Sequence, residues 1–257
     1  MKLYNQVIVI TGASSGFGEA IARRCAAAGA QVVLAARSGE RLGALAAELG
    51  VGRALAVPCD VTSDADVHRL AATTLACFGR VDVLVNNAGF GVLEPLKDAP
   101  LADLEAMMDV NLYGAVRCTQ AFLPGMLARR RGQIVAMASL AGLVATHNMG
   151  YYSMTKFALV AYARTLMLEL TGSGVRCALL LPGVARTGFQ TRADIGRYPR
   201  SSRLVPWLEA DDVARVVVRA IARRREGEVV LPWQARPLVA VAGAFPGLAR
   251  CILRLVR

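Results

Sequence analysis

Gln6-Val7-Ile8-Val9-Ile10-Thr11-Gly12-Ala13-Ser14-Ser15-Gly16-Phe17-Gly18, running into the Ala-rich stretch Glu19 to Ala28, decides how this chain folds. Gln6 to Ile10 is a short β-branched run that reads as a buried strand. The stretch after Gly18 reads as a helix. Three glycines at the turn between them let the backbone approach a pyrophosphate, whose charge the helix N-terminus stabilises. A merely flexible loop is the plainer alternative, and the position after a strand and before a helix argues against it. The spacing G-x-x-x-G-x-G differs from the G-x-G-x-x-G fingerprint.

Working outward, Gln31 to Ala36 reads as a second strand, ending in Ala35-Ala36-Arg37-Ser38. NAD-binding folds usually place a carboxylate here for the ribose 2′-hydroxyl; this chain offers Ala36 and then Arg37. A guanidinium beside an uncharged site suits a 2′-phosphate, which favours NADP(H) over NAD(H). A surface arginine at a strand end is the alternative. Arg53 to Val57 reads as a third strand, leading to Cys59-Asp60-Val61-Thr62. Thr62 or Ser63 can cap a helix over Asp64 to Phe78. Asp60 either meets the adenine or serves the helix entry. Val81 to Val85 reads as a fourth strand that opens into Asn86-Asn87-Ala88-Gly89, small and polar where ligands bind in open parallel sheets. A plain turn competes with that reading.

The spacing predicts a long helix over Leu101 to Arg129, broken near Asn111 and at Pro124. Asparagine is a poor helix former. Asn111 is therefore either a satisfied buried amide or a kink that turns a carbonyl towards water. Gln133 to Ala138 is a fifth strand, followed by Ser139, a loop from Leu140 to Gly150, and a helix over Tyr151 to Thr171. Val175 to Leu181 is the sixth strand, ending at Pro182-Gly183-Val184-Ala185-Arg186-Thr187, and Glu228 to Leu231 the last. Strand and helix alternate with no repeat and no linker, which predicts one doubly wound α/β domain over residues 1–231. Gly188 to Trp207 has no periodicity and reads as a substrate lid.

Tyr152 and Lys156, four positions apart, stack on one face of their helix. An ammonium beside a phenol favours the phenolate by attraction. Such a tyrosine can exchange a proton with a carbinol or carbonyl oxygen. Ser139 could hold the same oxygen. Alone, a Y-x-x-x-K pair is more often an exposed contact. His147, on the loop, either contacts substrate or is structural.

With 257 residues, 55% apolar and 19% charged, the chain can bury one large core. Its apolar runs are too short or too broken by Gly and Pro to span a bilayer. The first residues go straight into a strand without signal-peptide architecture, so the expected place is the cytoplasm or the cytoplasmic side of a membrane. Six scattered cysteines, with no C-x-x-C and no clustered histidine, read as buried thiols rather than metal ligands or disulfides. A net charge of +11 favours anionic partners: phosphorylated cofactors, acidic lipid or nucleic acid. Arg129-Arg130-Arg131 and Arg223-Arg224-Arg225 fall where helices end, which suits their negative poles. No aromatic-basic interleaving points to a nucleic-acid groove.

Thr11-Gly-x-x-x-Gly16-x-Gly18, Asn86-Asn-Ala-Gly89, Asn111, Ser139, Tyr152-x-x-x-Lys156 and Pro182-Gly-x-x-x-Thr187 occur in that order. The ordered set resembles the short-chain dehydrogenase/reductase family over about Gln6 to Leu231. The resemblance implies a Rossmann-type domain whose seven-stranded parallel sheet has the order 3-2-1-4-5-6-7, with helices on both faces. It implies Tyr152 as general acid/base, Ser139 as the hydroxyl that positions the substrate oxygen, Lys156 as activating cation and ribose donor, and Asn111 as anchor of a water chain to that lysine. For the cofactor it implies Gly12, Ser14, Ser15, Gly16, Phe17 and Gly18 at the pyrophosphate, with Arg37 at the 2′-phosphate. Asp60 and Val61 would meet the adenine, and Asn87, Ala88 and Gly89 the adenosine side. Val184 and Thr187 would hold the carboxamide. The implied activity is an NADP(H)-dependent interconversion of a carbonyl and an alcohol, with a homodimer or homotetramer as the assembly. A catalytically weak NADP(H)-binding redox sensor, or a membrane-surface interaction protein, is the alternative.

Residues 232–257 form an apolar and basic tail. Leu238 to Phe245 is an apolar run, and Arg250, Arg254 and Arg257 mark a short basic amphipathic helix. In character it resembles the tails of steroid- and retinoid-dehydrogenase-like members, which implies an apolar substrate. The tail packs on the domain or a second subunit, rests on an acidic lipid surface, or walls the substrate pocket.

Overall fold

The computed structural model describes residues 2–187 and 205–255, with side chains up to Cys251. The expected lid at 188–207 therefore falls outside the described residues except for its last three positions. Seven strands form one sheet: β1 (Val7–Thr11), β2 (Gln31–Ala36), β3 (Ala54–Pro58), β4 (Val83–Asn86), β5 (Gly132–Met137), β6 (Val175–Pro182) and β9 (Gly227–Leu231). Their order is β3-β2-β1-β4-β5-β6-β9 and each pairing is parallel. This is the expected order, with its seventh strand numbered β9. Two two-residue strands, β7 (Ala185–Arg186) and β8 (Leu208–Glu209), pair apart from the sheet. Two residues carry no periodicity, so sequence offered no sign of them.

Parallel strands are covered on both faces and read as continuous apolar runs. β1 and β4 are buried along their whole length. One face is covered by α1 (Gly16–Ala27), α2 (Gly39–Leu49) and α7 (Ala210–Ala222), whose Ile21, Leu42, Leu45, Val213 and Val217 pack against Ile8, Ile10 and Val32. The other is covered by α3 (Asp64–Phe78), α5 (Gly114–Ala128) and α6 (Gly150–Glu169), whose Leu70, Phe122 and Leu159 pack against Val9, Leu84 and Ile134. Each such side chain, fully buried, contributes roughly 1.5–3 kcal/mol relative to exposure. No helix is expected from the sequence between β2 and β3. Gly39 and Gly43 dilute the pattern there, yet Leu42 and Leu45 are enough to bury one face of α2.

The long helix expected from Leu101 is three segments: α4 (Leu101–Met108), a π-helical turn (Asp109–Tyr113) and α5. The break at Asn111 is thus present, whereas Pro124 lies inside α5 without ending it. Arginines at helix ends find carbonyls: Arg129 donates to Val81 O at 2.6 Å, Arg130 to Gly172 O at 2.9 Å and Arg224 to Gly174 O at 2.9 Å. All six cysteines are free, and four are buried. Cys77 and Cys251 are exposed, against the expectation of buried thiols, because they sit on outward faces of α3 and the last helix. That tail is α8 (Arg236–Ala244) followed by α9 (Pro246–Leu255). Among the described residues no helix is long and apolar enough to cross a membrane.

Candidate active site

β1 pairs with β2 on one side and β4 on the other, so chain order reverses between β1 and β4. Open α/β sheets bind ligands outside the carboxyl ends of strands at such a reversal. A cavity of about 740 Å³ lies there. Its wall includes Gly12, Ser14, Ser15, Gly16, Phe17, Arg37, Asp60, Val61, Asn87, Ala88, Gly89, Ser139, Tyr152, Lys156, Val184 and Thr187. Of the residues singled out from sequence, Gly18 and Asn111 stand behind this surface, and His147, half-buried, does not line it although Thr146 and Met149 do.

The first wall is made of backbone. Gly12 and Gly16 have φ of 65° and 58°, the left-handed region that glycine enters without strain. A Cβ on Gly12 would lie 2.9 Å from Ala88 Cα, and one on Gly18 only 2.2 Å from Gly12 O. Gly18 thus admits the close approach of helix and turn. Thr11 locks the turn to β4: its Oγ1 accepts from Asn87 N and Ala88 N, each at 3.0 Å, while Asn87 Nδ2 donates to Thr11 O at 2.9 Å. Asn86 points the other way, donating to Thr119 Oγ1 at 3.0 Å and Ala115 O at 3.3 Å. It ties the strand end to α5. Ser38 and Ser63 cap α2 and α3 with their side chains, whereas Ser15 makes no such bond at α1. The first-turn N–H groups of α1 therefore face the cavity without a side-chain cap, as an anion-binding helix end requires. Glycines that a Cβ would block, an uncapped helix N-terminus, Arg37 just after β2 and Arg41 in the first turn of α2 together fit a nicotinamide dinucleotide.

The second group comes from β5 and α6. Ser139 stands at the end of β5 in extended backbone, its Oγ accepting from Ala141 N at 3.1 Å. The following turn, Leu140–Gly142, is 3₁₀-helical within the expected loop. It packs so tightly on α6 that a Cβ on Gly142 would lie 2.6 Å from Lys156 O. Tyr152 and Lys156 are both buried and lie on the same face of α6, with Lys156 Nζ 5.7 Å from the Tyr152 ring centre. Nζ donates to Met137 O at 3.1 Å. Burial pushes the Lys156 ammonium down from its ordinary 10.5 to about 8, since the charged form loses its hydration.

Asn111 is the satisfied buried amide of the two readings. Its amide is satisfied: Nδ2 donates to Phe90 O at 2.9 Å and Thr155 Oγ1 at 3.0 Å, and Oδ1 accepts from Phe90 N at 2.9 Å. It also sits in the π-helical turn, a form common at functional sites. A Cβ on Gly89 would fall 2.9 Å from Asn111 Oδ1 and 3.5 Å from Lys156 Nζ, so the β4 turn, the π turn and α6 converge on one point. Asp60 joins helix entry to the cavity: its Oδ1 accepts from Thr62 N at 3.0 Å while the residue lines the wall.

Sequence reasoning assigned no role to Thr11, Thr155 or Arg41. The position of Thr11 at the strand end was visible; its partners 76 residues away were not. Leu238 and Val239 of α8 also line the cavity, which makes the tail part of its wall.

The short chain dehydrogenase family model matches residues 6–196. An uncharacterized oxidoreductase of Staphylococcus epidermidis is 33% identical over 222 residues, covering 86% of this chain and 93% of that protein. A short-chain dehydrogenase/reductase from Burkholderia phymatum, solved in complex with NAD, superposes with a TM-score of 0.85 at 31% identity over 96% of both chains. A metagenomic short-chain oxidoreductase in complex with NADP gives 0.74 at 33% identity, covering 89% of this chain and 96% of that one. With the ordered motifs now gathered around one crevice of a seven-stranded parallel sheet, this chain belongs to the short-chain dehydrogenase/reductase family of oxidoreductases.

Proposed function

We propose that the protein is an NADP(H)-dependent oxidoreductase that interconverts a carbonyl and a primary or secondary alcohol on an apolar substrate. The observation that carries this reading is the shared cavity: Ser139, Tyr152 and Lys156 line the same space as the glycine turn and Arg37. When bound, the nicotinamide supplies or accepts the hydride. Tyr152 gives its phenolic proton to the carbonyl oxygen in reduction and takes it back in oxidation. Ser139 holds that oxygen by a hydrogen bond. Lys156 places a positive charge beside the ring, which favours the phenolate side of the exchange. Asn111 acts through position, tying the π turn to α6 through Thr155.

The preference for the phosphorylated cofactor is supported by Ala36 standing where a carboxylate would take a 2′-hydroxyl, and by Arg37, Ser38 and Arg41 around the same end of the cavity. Structural neighbours were solved with NAD and with NADP, and the guanidinium pair is what supports the phosphorylated form for this chain. The apolar substrate is supported by Leu140, Val144, Met149, Val205, Leu238 and Val239 on the remaining wall. A homodimer or homotetramer through α5 and α6 is supported by Met154, Phe157 and Leu168, which α6 leaves exposed, and by Leu127 on α5.

The test is turnover of NADPH and NADH with a panel of ketones and aldehydes, by the wild type and by Arg37→Asp. The expected result is NADPH-driven reduction by the wild type, with the cofactor ratio moved towards NADH by about tenfold or more in the variant, the loss of one charge-assisted contact. An unchanged ratio overturns the cofactor assignment, and no turnover of any carbonyl or alcohol overturns the activity.

A further inference from the structure

The tail differs from the rest of the molecule in make-up. From Pro232 to Arg257 there are four arginines and neither Asp nor Glu. Trp233, Phe245 and Leu248 are 69%, 64% and 53% exposed, and Arg236 and Arg250 are exposed beside them in sequence. No residue of α8 is fully buried. Yet the same helix supplies Leu238 and Val239 to the cavity wall. A segment rich in exposed apolar side chains and cations, with no anion to balance them, is poorly matched to water and well matched to a surface that is apolar inside and negative outside.

We propose that the segment from Trp233 through α9 docks on an anionic lipid surface. Trp233, Phe245 and Leu248 enter the headgroup boundary, where an aromatic ring and an apolar side chain are both accommodated, and Arg236 and Arg250 meet lipid phosphates. The helix that walls the cavity then sits at the lipid boundary, and the substrate is an apolar carbonyl compound drawn from the membrane. The substrate half of this inference rests on the carbonyl–alcohol reading above; the docking half does not.

The experiment is flotation of the full-length protein with vesicles of phosphatidylcholine alone and with about one part in three phosphatidylserine, at low and high salt. Flotation is expected only with the anionic vesicles, and to fall as salt rises. Arg236→Gln and Arg250→Gln should each weaken partition about fivefold. The triple variant Trp233→Ser, Phe245→Ser, Leu248→Ser should weaken it further, with melting temperature and turnover of a small water-soluble carbonyl unchanged. An apolar carbonyl presented in anionic vesicles should be reduced faster by the wild type than by the triple variant. Docking is overturned if the wild type does not float. It is also overturned if the triple variant floats equally well, or if that variant changes only the oligomeric state, which would make a second copy the cover of this face. Equal rates on vesicle-borne substrate overturn the delivery from lipid. Flotation with no turnover of any carbonyl sinks the oxidoreductase reading and leaves the docking intact.

Discussion

The two walls of the cavity are built by opposite means. On the side of β1 and β4 the wall is backbone, held by Thr11 and Asn87 and packed so closely that Gly18 has no room for a methyl group. On the side of α8 the wall is side chains, Leu238 and Val239, on a helix without a fully buried residue. A wall of interlocked backbone cannot change without moving two strands. A wall of apolar side chains on a half-exposed helix can be altered residue by residue. On the reading proposed above, the chemistry is set by the rigid side and by α6, and the choice of substrate by the adaptable one.

The sharpest way to break this comparison is at the reacting group. Tyr152→Phe should lower kcat/KM by roughly a thousandfold, within the range of general acid–base catalysis, with NADPH affinity kept within a few-fold. Equal loss of both, measured by steady-state kinetics and cofactor titration, would mean the ring serves binding rather than proton transfer.

Gly18→Ala tests the rigidity of the backbone wall. The added Cβ would lie 2.2 Å from Gly12 O and 2.6 Å from Asn87 Nδ2, so overpacking should cost about 1–3 kcal/mol. A thermal melt should fall by several degrees and cofactor affinity should drop with it. An unchanged melt and affinity would show that this wall gives way after all.

Lys156 carries a pH prediction. With the ammonium at about 8 in the free enzyme, kcat/KM should decline above about pH 8 as the charge is lost, and Lys156→Met should abolish that limb along with most activity. The sign for stability is opposite. The folded state binds fewer protons than the unfolded one between about 8 and the ordinary 10.5, so stability rises with pH across that window. Below pH 8 the buried charge is a cost in full, and Lys156→Met should melt higher than the wild type there, with the gap closing as pH climbs. A melt difference independent of pH would rule out the buried charge as its source.

The smallest effect belongs to the adaptable wall. Leu238→Ala, which removes three carbons from a half-buried side chain, should shift the KM ratio between bulky and small apolar carbonyls about tenfold, the low end for such a change in an apolar pocket. Its melting temperature should stay near that of the wild type. A large drop in stability would make α8 a core element and erase the contrast with Gly18.

Much of this architecture was readable from local spacing. The strand–turn–helix at Gln6 to Ala28, the Tyr152–Lys156 pair on one helical face and the interruption at Asn111 depend on residues within a turn or two of each other, and short-range geometry is what periodicity reports. The run of parallel strands followed from their unbroken apolar character, because both faces are covered. What spacing could not show was partnership across the fold. Thr11 meets Asn87, and Asn111 meets Thr155 and Phe90, because the sheet and α6 bring distant segments together. Nor could it choose among three places for the tail: Leu238 and Val239 line the cavity through the packing of α8, a long-range fact with no local signature. The type of each element lies in neighbouring residues; which buried polar group satisfies which, and what closes the pocket, exists only once the chain has folded back on itself.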